Sequence, residues 1–343
     1  MPLISTNALT LADWAKRMDD QNKTAYIVEL LSQENGIMRD CVWVEGNLPT
    51  GHKTTVRTGI PQGTWRLMYQ GLPPVKTTTA QVTDVCGNLE ALNQIDKDLA
   101  DLNGNTSSFR LSETNGTMMG LGQQMATTMF YGNVTVNPER FTGITPRYSS
   151  ITGAASGANI IDAGGTGSTN TSIWFITWGE QTVHGIFPKG KRTGLIHSDM
   201  GEDWAFDASN NRYRAYMDHF KWEAGLTVRD WRYCVRIANI DVNQLISGAA
   251  PNLMNLLIRA LHRIPTVMGG NVTQSDAPTI SGSMGQTVIY CNRTITTYLD
   301  IQNQARPNAL FSMREYDGMP ILTFRGIPIR VCDAILNTES RVV

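Results

Sequence analysis

The chain has 343 residues, 41% of them hydrophobic, enough to bury a sizeable core in one large domain or a few intertwined ones. Lys plus Arg number 29 and Asp plus Glu 30, so bulk charge steers the chain toward neither nucleic acid nor acidic partners. The five cysteines, Cys41, Cys86, Cys234, Cys291 and Cys332, are scattered, odd in number and lack C-x-x-C spacing, which reads as reduced thiols used as small core hydrophobes. No stretch resembles a signal-peptide core and none is long and apolar enough to span a bilayer, so a cytosolic setting without a membrane partner is expected.

Thr10-Leu-Ala-Asp13 is a capping-box-like start, with Asp in place of Glu, for a short helix to about residue 18. Asn22 caps a second, with Ile27, Leu30 and Leu31 on its apolar side. Two short helices bury little alone and need a surface to lie on. From 41 to 86 helical periodicity vanishes. Lys53-Thr-Thr-Val-Arg-Thr58 alternates like a strand, Gly59-Ile-Pro-Gln-Gly63 reads as a turn, and 64–70 alternates again, with Trp65, Leu67 and Tyr69 on one side. After Pro73-Pro74, residues 75–85 form a third extended run. A lone hairpin is marginal in water, so this excursion has to rest on its own domain or on a neighbouring molecule.

The spacing of Leu89, Leu92, Ile95, Leu99 and Leu102 predicts a helix over 88–102 capped by Asn88. A longer helix is predicted over 106–133, where Met118, Leu121, Met125 and Met129 share a face, Ser107 or Ser108 caps the start, and Gly132-Asn133 stops it. Gly116, Gly120 and Gly122 each cost it about 1 kcal/mol relative to Ala, so packing rather than propensity must hold it. At about 1.5 Å per residue such a helix is long enough to be the spine of a domain.

Residues 137–170 are poor in hydrophobes. Gly164-Gly-Thr-Gly-Ser168 lacks the Gly-Lys-Ser/Thr ending of a phosphate loop and reads as a flexible loop. Residues 172–178 and 182–187 flank Gly179-Glu-Gln181 as a hairpin, and the basic turn 189–192 reads as solvated. Residues 204–207 and 213–222 form another strand pair. A strand over 226–238 puts Trp231, Tyr233, Val235 and Ile237 on one side and Asp230, Arg232, Cys234 and Arg236 on the other, where the arginines demand solvent or ion pairs. A helix starts at Pro251 and runs to 264, a Gly/Ser/Asn-rich loop fills 269–286, a strand covers 287–291, Asn292 caps a helix to about 304, and 321–331 is strand–turn–strand. Strands gather in meanders rather than alternating with helices, which makes the chain α+β.

The five histidines, His52, His184, His197, His219 and His262, form no H-E-x-x-H or comparable metal spacing. His197 with Asp199, Glu202 and Asp203 is the best metal or acid–base candidate, though it also reads as a polar loop. No nucleophile elbow, phosphate loop or dinucleotide fingerprint occurs, so no catalytic, cofactor-binding or metal residue is assigned. Three function classes stay in view: a self-assembling structural protein, a soluble β-rich sugar- or peptide-binding module using Trp65, Trp174, Trp178 and Trp222, and a metal-dependent hydrolase using His197, Asp199 and Glu202.

The segments Leu11-Ala-Asp-Trp-Ala-Lys16, Val44-Glu-Gly-Asn-Leu-Pro49, Tyr131-Gly-Asn133, Ser172-Ile-Trp174 and Phe324-Arg-Gly-Ile-Pro-Ile-Arg330, with the order of the parts, resemble the major capsid proteins of short-tailed bacteriophages of the Hong Kong 97-like fold. The resemblance covers essentially the whole chain. It implies an N-terminal arm (1–40), an extended E-loop (41–86), a peripheral domain with the spine helix (87–136), a loop and hairpin insertion (137–200), a peripheral-domain sheet (201–246) and an axial domain (247–343). It further implies a coat protein, not an enzyme. Such a protein builds pentamers and hexamers of an icosahedral head in the host cytoplasm, packages double-stranded DNA without sequence specificity, and meets a portal protein and, in some members, scaffold and cement proteins.

Charge adds one expectation. Residues 46–83 contain no acid but carry Lys53, Arg57, Arg66 and Lys76, whereas 88–102 holds Glu90, Asp96, Asp98 and Asp101 against Lys97. The loop of one subunit is expected to lie across the acidic segment of its neighbour, with Lys53, Arg57, Trp65, Arg66, Leu67, Tyr69 and Lys76 facing Glu90, Asp98 and Asp101.

Overall fold

The computed structural model describes residues 9–11, 13, 16, 32–207, 209–248, 251–265, 285–305, 311–316 and 319–343; for 103, 303–305, 311–316 and 319–321 it describes the backbone alone. The predicted second N-terminal helix and most of the 269–286 loop lie outside these residues. In chain order come α1 (Ile37–Asp40), β1 (Trp43–Glu45), β2 (Gly51–Gly59), β3 (Thr78–Val85), β4 (Gly87–Asp96), α2 (Lys97–Ala100), α3 (Thr106–Tyr131), β5 (Ile160–Asp162), β6 (Asn170–Trp178) and β7 (Val183–Phe187). There follow β8 (Leu195–Phe206), β9 (Arg212–Val228), β10 (Cys234–Asp241), α4 (Val242–Ser247), α5 (Leu253–Leu261), β11 (Gln286–Cys291), α6 (Arg293–Ala305), β12 (Phe311–Tyr316), β13 (Met319–Phe324) and β14 (Ile327–Val331).

One mixed sheet runs β12-β13-β14-β11-β6-β7-β9-β4, with β10 also on β6, β5 on β10, β1 on β7 and β8 on β9; β2 and β3 pair separately. Every residue of β6 is buried because helices cover both of its faces. Trp174, Ile176 and Trp178 join Met125, Met129 and Phe130 of α3 on one side. Ile173 and Phe175 join Leu253, Leu256, Leu257 and Ala260 of α5 and Ile295 and Leu299 of α6 on the other. β9 outruns this layer: between Ala215 and Trp222 it is flanked by β4 on one edge and β8 on the other, a three-stranded extension beside α3.

The spine helix forms where predicted, with Leu121, Met125 and Met129 buried. Its caps differ. No side chain caps the start at Asn105, and Ser108 donates instead to the Asn105 carbonyl. Gly132 is extended rather than left-handed, and a Cβ there would lie 2.3 Å from the Phe141 carbonyl oxygen, so close backbone approach selects glycine. Met118 is 46% exposed, and nothing lies within 4 Å of a Cβ built on Gly116 or Gly120, so the single chain does not cover that stretch.

Several other expectations are corrected. Residues 88–96 form strand β4, not a helix: Leu89, Ala91, Asn93 and Ile95 face inward with period two, and ten residues pair with β9. The i, i+3 leucine spacing was compatible with a helix, and sheet pairing overrides it. Asp96, not Asn88, caps the short helix that follows, accepting from Asp98 N at 2.9 Å. Residues 64–70 are not a strand, and Trp65 and Tyr69 stand fully exposed. The 172–187 hairpin is absent: β6 and β7 share one parallel bridge at Trp178 and Val183, and β7 pairs with β9 and β1 instead. The predicted 226–238 strand is two strands, broken at Trp231–Tyr233 by a turn whose N–H of Arg232 donates to Asp230. The Thr10–Asp13 box, the Asn292 cap and the closing β13–β14 turn form as expected, and α5 starts at Leu253 with Asn252 as its cap.

The two arginines of the broken strand separate. Arg232 pairs with Asp230 at the surface, whereas Arg236 is 2% exposed. Its Nη2 donates to Glu339 at 2.8 Å, Nη1 to the Tyr148 carbonyl at 2.8 Å and Nε to Ser172 Oγ at 3.1 Å, and its guanidinium lies 5.0 Å from the Trp174 ring centre. Glu339 also accepts from the Ser172 hydroxyl and from the phenol of Tyr131, whose pKa burial and the Glu339 charge push up. Glu339 N donates to the Asn170 carbonyl, and Asn239 holds Val342 through both its N–H and its C=O. The pair thus joins the end of α3, β6, β10 and the segment after β14. Removing one partner leaves a buried charge uncompensated, which costs about 3–5 kcal/mol, whereas apolar replacement of both is often nearly neutral. Glu339→Ala should therefore lose about 3–5 kcal/mol in urea unfolding, and Arg236→Met with Glu339→Met should recover most of it. Equal losses in both variants would show that the charges are not what the site requires.

Candidate assembly surfaces

The extended loop has a tied root and a bare tip. At the root, Asp84 on β3 is buried and accepts from Arg147 Nη2 at 2.8 Å; Arg147 also donates to the carbonyls of Leu226 and Gly143. β2 and β3 then run out as a ladder from Gly51–Val85 to Gly59–Thr78. Beyond it, 60–77 has no regular structure, and Ile60, Trp65, Leu67, Met68, Tyr69 and Leu72 are each at least 66% exposed. Lys53, Arg57, Arg66 and Lys76 are exposed as well. A run of large apolar side chains among cations, without cover, is the composition of a contact surface rather than a solvated loop.

A second surface with exposed aromatic and charged side chains lies at the far end of the three-stranded extension. Cross-strand register sets Trp204 opposite Arg214 and Phe206 opposite Arg212. The guanidinium of Arg214 is 4.2 Å from the Trp204 ring centre and that of Arg212 is 5.6 Å from Phe206. Ala205, between the two rings, faces the other way and is buried. Trp204 and Phe206 are about half exposed. Register also places Asp96 of β4 and Asp203 of β8 on opposite sides of Ala215. Lys97 bonds Glu202 at 2.8 Å and Tyr216 OH reaches Asp101 at 3.3 Å, so Asp96, Asp98 and Asp101 share this end with Glu202, Asp203 and Asp207. The backbone N–H and the side chain of Asn211, and then the Ser209 N–H, donate to Asp207 and hold its carboxyl below the usual range.

Of the acids expected at this contact, Asp98 and Asp101 are exposed here. Glu90 lies further along β4 and is engaged within the chain: hydrogen bonds from Lys221, Asn88 and His219 hold its carboxyl down at about 2. Sequence reasoning missed Trp204, Phe206, Arg212 and Arg214. Their signal was period-two spacing mirrored about the 207–211 turn.

His197, Asp199 and Glu202 do not form an open ligand set. Arg110 of α3 donates to Asp199 at 2.7 Å and to the buried Asp218 at 3.0 Å, and His197 Nε2 lies 2.9 Å from Asp218. The His197 ring stacks on Phe220 at 4.7 Å. Glu202 turns to Lys97 and Arg214. Arg110 and the Gly201 N–H hold the Asp199 carboxyl below the usual range. The arrangement is an arginine-centred tie from the spine helix to β8 and β9, and the described residues contain no group of three side chains placed to hold a metal. All five cysteines are free, and burial pushes the thiols of Cys41, Cys234 and Cys332 up to about 12.

Against known proteins, the family description "Major capsid protein GP7" matches residues 19–343. The chain belongs to this major capsid protein family. Among solved structures, a chain of the bacteriophage Epsilon15 structure superposes with a TM-score of 0.80 at 38% identity, over 100% of this chain and 99% of that one. A native GTA particle capsid (TM-score 0.44, 11% identity, 68% of this chain and 99% of that one) and the SrpI encapsulin of Synechococcus elongatus PCC 7942 (0.42, 11%, 67% and 96%) are far more distant. No curated protein matches. The fold is Hong Kong 97-like, and the protein is a structural component of a phage virion, assembling with itself into a shell; its family is a structural one, not an enzyme family.

In this coat protein the Arg110 tie is structural. Asp218→Asn should weaken the charge-assisted bonds to Arg110 and cost about 1.5–3 kcal/mol of stability, read by thermal unfolding. Equimolar zinc should leave the wild-type Tm unchanged. A rise of several degrees with zinc would restore the metal reading.

Proposed function

We propose that this coat protein forms the pentamers and hexamers of an icosahedral head around double-stranded DNA, and that the E-loop of each subunit lies on the peripheral end of its neighbour. The observation that carries the reading is the bare loop tip, with Trp65 100% exposed beside Leu67, Met68 and Tyr69. In this reading Lys53, Arg57, Arg66 and Lys76 approach Asp98, Asp101 and Asp203 of the next subunit, while Trp65, Leu67 and Tyr69 meet the Trp204–Phe206 ladder. Glu90, already paired, adds to the acidic field rather than accepting an arginine. The peripheral domain comprises β4, α2, α3, β8 and β9, so relative to the expected 87–136 and 201–246 segments it gains the start of β8 and gives up β10 and α4. The axial domain is the sheet around β6, including β10, with α5 and α6, so it draws on 137–200 and 234–246 as well as 247–343. Assembly takes place in the host cytoplasm, DNA is enclosed without sequence readout, and portal, scaffold and cement proteins are further partners by family likeness.

Magnitudes divide the roles. Each fully buried large apolar side chain is worth about 1.5–3 kcal/mol, whereas a rim ion pair is worth about 0.2–1 kcal/mol. The aromatic and aliphatic residues supply affinity, and the charges set register and exclude wrong placements. Charge reversal repeats at every copy in a shell. Arg57→Glu with Arg66→Glu should therefore give soluble, folded subunits that fail to close, seen as free subunits or open fragments by electron microscopy. Asp98→Lys with Asp101→Lys should partly restore particles. Normal particle size and yield from the first pair would rule this contact out. Limited proteolysis of unassembled wild-type subunit should cut first within 60–77, and assembled particles should resist at the same sites.

A further inference from the structure

The root of the E-loop encloses two histidines whose surroundings admit no second proton. His52 of β2 is 6% exposed and His184 of β7 is fully buried, with ring centres 5.8 Å apart. Both nitrogens of His52 face donors: Arg229 Nη2 stands 2.9 Å from Nε2, and the backbone N–H of Asn47 points at Nδ1 from 3.3 Å. A neutral imidazole accepts at one nitrogen and an imidazolium at none. Protonation therefore removes the one accepting nitrogen and leaves both contacts as donor facing donor.

His184 sits opposite Thr227 on β9; neither of its nitrogens has a hydrogen-bond partner of normal geometry, and the Gly179 backbone, which raises its basicity, is outweighed by burial and Arg229. Charged groups face this site from three segments. Arg229 follows β9 and lowers the basicity of both rings; Asp84 on β3, opposite His52 in register, is the one group that raises that of His52; and Arg147 holds Asp84 Oδ1. Cys86 is nearby, and burial pushes its thiol up to about 11, which keeps it neutral. Two guanidinium groups thus face one carboxylate before any histidine is charged. Asp84 Oδ2, Arg229 Nε and Thr227 Oγ1 are also buried without protein partners, so the root is polar, incompletely bonded and surrounded by well-packed strands.

We propose that this root is an acid-released hinge: neutral His52 and His184 hold the β2–β3 hairpin against β7 and β9, and their protonation frees it to swing. The direction follows from the proton balance. Burial and then Arg229 lower both rings from the ordinary value of 6.5, His184 to about 4. The closed root binds fewer protons than the open one, so it is at full strength above pH 6.5 and weakens as pH falls toward 4. For His184 alone, opening at pH 5 becomes about 30-fold more favourable than at pH 8. The hinge belongs to the single chain. Its consequence, release of the loop tip from a neighbour in acid, rests on the contact proposed above.

Hydrogen exchange of the full-length, unassembled protein at pH 8 and pH 5, corrected for the intrinsic rate, tests it. Peptides covering 47–56 and 80–86 should open about 30-fold or more at pH 5, while peptides from 171–177 stay unchanged. His52→Gln with His184→Gln should remove that dependence. An unchanged wild-type root, or the same acid response in the double variant, would overturn the proposal. If the double variant does not fold, NMR of histidine-labelled wild type decides: both root imidazoles must titrate below 6.5, and a midpoint at or above 6.5 for either overturns it. A responsive root in a protein that never forms particles would instead refute the shell geometry and leave the hinge standing.

Discussion

Arg236 and Glu339 are charged, nearly inaccessible and mutually satisfied, and the rest of the fold is arranged so that they can be. Burying either alone would be prohibitive, so their desolvation is tolerable only because Ser172, Tyr131 and the Tyr148 carbonyl complete their bonding. Those partners come from β6, the end of the spine helix and the turn after it. The chain beyond β14 must therefore return across the same face, where Val342 enters the core beneath Asn239. Apolar contacts supply most of the stabilisation of this layer; the ion pair specifies which segments meet.

That layer is self-sufficient, and the parts that leave it are not. The spine helix buries its C-terminal half against Trp174 and its neighbours but leaves Met118, Gly116 and Gly120 uncovered in the single chain. The E-loop is rooted by Arg147 and Asp84 and bare at its tip. Trp204 and Phe206 are held in place by stacked arginines yet remain half exposed. A monomeric enzyme would have little use for such surfaces. A subunit that is completed by its neighbours requires them.

What the sequence disclosed followed physical locality. Elements set by their own period or by an adjacent cap were legible: the helix with Leu121, Met125 and Met129, the Asn292 cap, and the strand pair on either side of 207–211. Elements decided by a distant partner were not. Leu89, Leu92 and Ile95 fit a helix until β9, more than a hundred residues away, pairs with them as a strand. Val183 to Phe187 looked like a hairpin return until β9 and β1 took its edges. The demand that Arg236 find a counter-charge was visible; its supplier, Glu339, was not, because nothing local marks it. The proposed contact surface was half legible. The basic loop stood out through its lack of acids, while the aromatic ladder that faces outward on β8 emerged only with the strand register.

In the proposed shell, the folded core carries a loop whose binding site lies on another copy of the chain. A cryo-EM map of assembled particles, at a resolution that traces side chains, tests it most directly. Residues 60–77 of each subunit should lie over residues 96–101 and 199–214 of a neighbour, with Trp65 against Trp204 or Phe206. A tip folded onto its own chain, projecting into solvent, or seated on a different surface of the neighbour would contradict it.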